Sequence, residues 1–316
     1  GCHTPLGDLF DLIAGSSTGA LISLGIGMPN QRTRSPLMGQ AFDPEHKPIT
    51  VARICNIYRR LGSTIFPPDR FFSLRTVRQA FAEKYNSAPL ERILLSMYGD
   101  YSLQDCRTNI LITAYDTVRR SPHFFKNRLD RPGEDPNFYL RDVARATTAA
   151  PTFFKPALIR ELCPSTTGNP PEYCLIDGAM ICNNPALAAY IEARKIFPWA
   201  KHYTVVSIGS GQLQGAYPYD EIQGWGYVDW VSPVRNIPLF TLTNDAQTSL
   251  ADYQLTKLPG LDYFRINLPL DPSVSEDMDD SSPKNIRAID QFSNKVISVH
   301  EPALQRIEKL LLKKAR

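Results

Sequence analysis

Phe10 to Ala20 reads "FDLIAGSSTGA", an apolar run followed by two serines and a threonine held between Gly15 and Gly19. The run is short and gives way to small residues, as a buried strand does on entering a tight turn, and "TGALISLGIGM" opens behind it as a helix. Strand, glycine-flanked turn and helix form the setting of a G-x-S-x-G nucleophile elbow, which lifts a serine Oγ above the sheet. Register makes Ser17 the central residue of Gly15-Ser16-Ser17-Thr18-Gly19, with Ser16 a turn residue. Small residues are expected at Gly15 and Gly19 because the turn is tight. The helix N-terminus beneath Ser17 supplies unpaired N–H groups and a positive dipole end, suited to an alkoxide and to an oxyanion. Serine and glycine are also ordinary turn formers, so the motif needs a base before it becomes chemistry.

The five histidines, His3, His46, His123, His202 and His300, do not stand at strand ends beside turn glycines. A triad in the order serine, acid, histidine would fall to His300, which lies inside a helical pattern and reads as a surface residue. A stronger partner stands in "YCLIDGAMICNNPALAAYIEA", where a short apolar strand ends at Asp177-Gly178-Ala179 and Asn183-Asn184-Pro185 precedes a helix. The carboxyl end of a parallel strand is where α/β sheets place catalytic groups. An Asp-Gly turn without chemistry is the other reading of this segment taken alone.

Further strands are expected over 109–115, 173–176, 203–208 and 263–268, besides 9–14, and helices over 18–28, 50–61, 74–85, 140–149, 185–196, 236–255 and 285–314. The alternation predicts an α/β fold, a three-layer α/β/α sandwich with a mostly parallel central sheet, built as a single domain. With 35 Lys and Arg against 32 Asp and Glu, the net charge of +3 leaves no footprint for nucleic acid. Six cysteines without a C-x-x-C pair argue against a zinc site or a disulfide framework and are read as reduced thiols of a cytoplasmic protein. No metal and no cofactor are expected. No apolar run approaches the ~20 residues of a spanning helix. The acidic stretch "SEDMDDSS" (275–282) lacks the ligand spacing of a calcium loop and is expected to end at the N-cap of the last helix. That helix, "EPALQRIEKLLLKKAR", is read as packing one face on the core, with cations at its C-terminus.

Taken together, the motifs resemble the patatin-like phospholipase family. The resemblance rests on Gly15-Ser16-Ser17-Thr18-Gly19 after "FDLIA", on Asp177-Gly178-Ala179, on "ARATTAAPTFFKP" (144–156), and on "ILITAYDTVRRSPHFFKN" (110–127) and "VVSIGSG" (205–211). These run in the family's order over about residues 8–270, with a helical region at 283–316. The resemblance implies a lipid acyl hydrolase with a Ser-Asp dyad and no histidine: Ser17 as nucleophile, Asp177 as general base and acid, and an acyl-enzyme intermediate formed on Ser17. It also implies a phospholipid or other acyl-lipid substrate, hence transient contact with a membrane surface. "IFPPDRFFSL" (65–74) is the candidate for that contact, against core packing of the same phenylalanines.

In one respect the sequence departs from the family, which carries an upstream glycine-rich turn of the D-G-G-G-x-R-G type whose N–H groups form the oxyanion hole. Only Gly7 precedes Gly15 within the segment leading to the elbow, and the chain opens on "GCHTPLGD" without an initiator Met. The expectation is a fragment lacking the first βα unit, with an uncovered sheet edge and weakened catalysis, since one oxyanion donor is worth about 10²- to 10³-fold in kcat. Two other functions stay open: a non-catalytic lipid-binding or storage protein on the same scaffold, and an α/β-hydrolase esterase using His300.

Overall fold

The computed structural model describes residues 4–29, 51–67, 83–162, 169–232, 235 and 237–314. After a one-turn helix α1 (Leu6–Leu9), strand β1 (Leu12–Gly15) runs into helix α2 (Thr18–Gly27). The expected strand start at Leu9 is thus displaced by three residues, because Pro5 starts a helical turn that lasts until Leu9. Helix α2 carries no charge and buries Ala20, Leu21, Ser23 and Leu24, as a helix enclosed on several sides must. Helices α3 (Val51–Ile65) and α4 (Ala88–Tyr98) follow, then the central strand β2 (Asn109–Asp116) and its hairpin partner β3 (Ser121–Asn127). The expected helix at 74–85 lies largely outside the described residues, and its described end, 83–85, is not helical.

Helix α5 (Leu140–Thr147), strand β4 (Ala157–Arg160) and strand β5 (Glu172–Asp177) complete a five-stranded sheet. Its pairing differs from expectation. Only β1 and β2 are parallel, while β3 and β5 pair antiparallel with β2, and β4 antiparallel with β5. The fold is α/β, but this sheet is mixed rather than mostly parallel. Two strands absent from the expected set, the seven-residue β3 and the four-residue β4, form antiparallel pairs and turn the chain back on itself.

The register of β2 has a direct consequence for the site. Strand β3 occupies one edge of β2 from Ile110 to Asp116. On the other edge β1 pairs with Asn109 to Ile112, and β5 pairs with Ala114 to Asp116. Running in opposite directions, β1 and β5 therefore meet end to end along a single edge, with Thr113 opposite the junction. Asp177 stands at the carboxyl end of an antiparallel strand, not of a parallel one as the sequence suggested.

Alternation places the helices. Phe125 of β3 is buried with Phe138 and Leu140, on the face covered by α2, α4 and α5. The next side chain, Lys126, points the other way and pairs with Glu192 at 2.7 Å. Glu192 belongs to α7 (Ala186–Ile196), which follows the short α6 (Ala179–Cys182) and packs against β1. Strand β2, buried along nearly its whole length, lies between these layers.

Strands β6 (Tyr203–Ile208) and β7 (Leu261–Ile266) form a separate parallel pair, so among the described residues β1 has a strand partner on one edge only. Between them lie the short helices α8 (Tyr219–Ile222) and α9 (Tyr227–Trp230) and the long α10 (Pro238–Leu255). The single last helix expected over 285–314 is two, α11 (Pro283–Val299) and α12 (Glu301–Lys314). They break at His300 because Pro302 has no N–H to continue the ladder and disfavours helical backbone before it. Ser282 caps α11, accepting from the Asn285 N–H at 3.2 Å, as expected for the end of the acidic stretch. Ile307 is buried and Lys314 pairs with Asp11, so α12 lays one face on the body of the protein. Among the described residues no helix is long and apolar enough to cross a membrane.

Candidate active site

At the end of β1 the chain turns so sharply that Ser17 adopts φ 50° and ψ −125°. Positive φ in a residue bearing a Cβ costs about 1–3 kcal/mol, so the surrounding structure must hold it. A Cβ on Gly15 would lie 2.5 Å from Ala20 Cα, which makes the glycine obligatory there. The same argument fails for Gly19, where a Cβ meets nothing within 4 Å among the described residues. Its place in the motif is not a steric requirement of this turn.

Ser17 Oγ donates a 2.7 Å hydrogen bond to Asp177 Oδ2 across 160 residues of chain. The end-to-end meeting of β1 and β5 brings them together: Gly15 pairs with Ile112 and Asp177 with Ala114, so Ser17, two residues past Gly15, arrives level with the aspartate. Asp177 is 2% exposed, and burial pushes its carboxyl up to about 6, against the pull of the Ala179 N–H and the Ser17 hydroxyl. The Ala179 N–H holds Oδ1 at 2.8 Å, leaving Oδ2 for the serine. Gly178 is required by close approach, since a Cβ there would stand 2.3 Å from Thr113 O. Asp177 and Gly178 thus each have a physical reason in the structure, while position 179 contributes its backbone N–H.

The amides around Ser17 are distributed unequally. The Ser17 N–H donates to Thr147 Oγ1 at 2.9 Å, Gly19 N–H to Ser16 O and Ala20 N–H to Ser17 O. Thr18 N–H has no partner among the described residues and lies at the positive end of α2. Ser16 accepts through its carbonyl as a turn residue, and its buried hydroxyl has no partner among the described residues to activate it. Gly7 lies within α1 and takes no part in this turn.

Several other sequence candidates fall elsewhere. The ring of His300 is held by Asn267 O at 3.0 Å, at the break between α11 and α12, and the structure does not bring it to Ser17. Asn184, just before α7, ties that helix to β6 and to α10, its Oδ1 accepting from Ser207 Oγ at 3.0 Å and its amide donating to Asp252 at 2.8 Å. Gly209 to Gly211 form the strand-end turn after β6, with Gly211 at φ 104°. Cys182 on α6 remains a thiol, because burial pushes it up to about 11. Residues 68–74 of the aromatic turn lie outside the described residues, while Phe66 packs edge-on against Tyr85 at 5.2 Å.

A partly exposed serine hydroxyl on a buried carboxylate, with a helix N-terminal amide beside it that has no partner among the described residues, can perform acyl transfer without metal ligands or a histidine. Comparison with known proteins points to one family. The model of the patatin-like phospholipase family matches residues 3–190. "Patatin-like protein 2" of Arabidopsis thaliana is 28% identical, the match covering 79% of this chain and 62% of that protein. "Patatin-like protein 1" of Oryza sativa subsp. indica is 27% identical over 90% of this chain and 70% of its own length. "Patatin-17" of Solanum cardiophyllum is 26% identical over 97% of this chain and 80% of its own length. The chain therefore spans about three-fifths of the length of the first of these relatives and four-fifths of the last.

Proposed function

The chain belongs to the patatin-like phospholipase family, and on that premise we propose that it is a serine lipid acyl hydrolase of the phospholipase A type, working through Ser17 and Asp177. The observation that carries the reading is the 2.7 Å bond from Ser17 Oγ to Asp177 Oδ2. A free carboxylate, with a pKa near ~3.9, is a poor base for a hydroxyl. Stripped of water and raised to about 6, Asp177 is a better one. As Ser17 Oγ attacks the ester carbonyl carbon, its proton passes to Asp177 Oδ2. Negative charge then grows on the carbonyl oxygen, and the Thr18 N–H is the donor available to it, as the amide after the nucleophile is in other elbows. Collapse of the tetrahedral intermediate breaks the ester C–O bond, and the leaving alcohol takes the proton from Asp177. Water, deprotonated by Asp177 in turn, attacks the acyl carbon; the bond to Ser17 Oγ breaks, Oγ takes the proton back from Asp177, and the fatty acid leaves.

The substrate proposed is a fatty-acyl ester of a phospholipid or related lipid, met by transient contact at a membrane surface. The test is incubation of the purified chain with phospholipid vesicles and assay of fatty acid and lysolipid. Release by the wild type and its loss in Ser17→Ala is the expected outcome. Lipid binding without release would favour the non-catalytic scaffold, and release that survives Ser17→Ala would refute the nucleophile.

A further inference from the structure

We propose that Thr147, the last residue of α5, is the positioning residue that holds the nucleophile turn and the base turn in register. Its Oγ1 accepts the Ser17 N–H at 2.9 Å, while its carbonyl accepts the Gly178 N–H at 3.2 Å. One residue thus touches both turns, which otherwise belong to strands arriving from opposite directions. Its neighbour Ala149 adds a third tie, its carbonyl accepting the Asp177 N–H at 3.1 Å. The last turn of a helix has carbonyls without intrahelical partners, and here they serve to hold the base turn.

Thr147 is fully buried. Helix α5 is itself fixed: Arg145, nearly buried, donates to Glu91 of α4 at 3.1 Å and to Lys155 O at 2.8 Å. The clamp therefore acts from a rigid support. A valine at 147 would fill the same volume without an acceptor and leave the Ser17 N–H unpaired. The left-handed backbone of Ser17 would then lose a hydrogen bond that fixes its direction, and Oγ would move off Asp177 Oδ2. A displacement of about 1 Å in a reacting group costs on the order of 10²-fold in rate.

This inference rests on the Ser17 and Asp177 reading, and its test separates the two. In the full chain, Thr147→Val is expected to lower kcat about 10- to 100-fold with KM unchanged, and Thr147→Ser, which keeps the acceptor, to stay within about threefold of wild type. The Ser17 hydroxyl is one of the groups holding the Asp177 carboxyl down, so the acidic limb of kcat should move to higher pH in Thr147→Val and remain in place in Thr147→Ser. A merely structural role would not move that limb. Should Thr147→Val not fold, Thr147→Ala carries the same expectation. Wild-type kcat and limb in the variant without the acceptor, or equal losses in valine and serine variants, would overturn the proposal. If the wild type hydrolyses no ester, the activity reading fails, and the clamp is then read from exchange of the Ser17 amide. That amide should be protected in wild type and Thr147→Ser and fast in Thr147→Val; equal protection in all three would overturn it.

Discussion

A serine at φ 50° and an aspartate that is 2% exposed are both held in states they would not choose in water. If Asp177 must be ionised to accept the serine proton, kcat should rise with pH through an apparent pKa of about 6 and then level. Initial rates between pH 4.5 and 8 measure this, and the limb should persist in His300→Ala. The glycines give a second expectation. Gly178→Ala drives a Cβ to 2.3 Å from Thr113 O and should cost about 1–3 kcal/mol of stability along with most activity, measured by urea unfolding and ester hydrolysis. Gly19→Ala places a Cβ that meets nothing within 4 Å among the described residues and should stabilise the helix by about 0.5–1 kcal/mol. Ser17 and Asp177 were legible in the sequence because each ends an apolar run beside a glycine. The contact of Thr147 was not, although "ARATTAAP" drew attention: its hydroxyl meets a backbone amide 130 residues away, which no spacing encodes.

At the scale of elements, the site arises from two strands that end against each other along one edge of β2. The sequence supplied β1, β2 and β5 but not their directions. An apolar run fits a parallel or an antiparallel neighbour equally, and the strands that make the sheet mixed are hard to see. Strand β3, "SPHFFKN", mixes proline, histidine and lysine into its apolar positions, and β4 is four residues long with alternate side chains exposed. Helix α4 did leave a signal, in Ser87, Pro89 and the spacing of the buried Leu90, Ile93, Leu94, Met97 and Tyr98. It fastens to α2 through the buried Tyr98 hydroxyl, which donates to Leu21 O at 2.8 Å. Tyr98→Phe should therefore lose about 1 kcal/mol in urea unfolding while keeping wild-type kcat.

For the molecule as a whole, a half-buried histidine and a buried aspartate tilt the dependence of stability on pH in opposite directions. His123 packs among Phe125, Phe138 and Tyr173, and burial pushes it down to about 4 from 6.5. The unfolded chain binds that proton first, so this contribution is present above pH 6.5 and is lost as pH falls toward 4. Asp177 is raised from 3.8 to about 6, so its contribution is full below pH 3.8 and is lost as pH rises through about 6. Between about pH 4 and 6 the two offset each other. Asp177→Asn removes one side: on acidification from pH 6 to 3.8 the variant should lose about 3 kcal/mol relative to wild type, at roughly 1.4 kcal/mol per pH unit. Urea unfolding of both proteins at several pH values provides the comparison.

The chemistry proposed for this chain is tested most directly by covalent labelling with a fluorophosphonate and mapping of the adduct by mass spectrometry. The prediction is a single adduct on Ser17, lost in Ser17→Ala, strongly slowed in Asp177→Asn and formed at the wild-type rate in His300→Ala. Labelling that survives Ser17→Ala, or that depends on His300 and not on Asp177, would contradict the account.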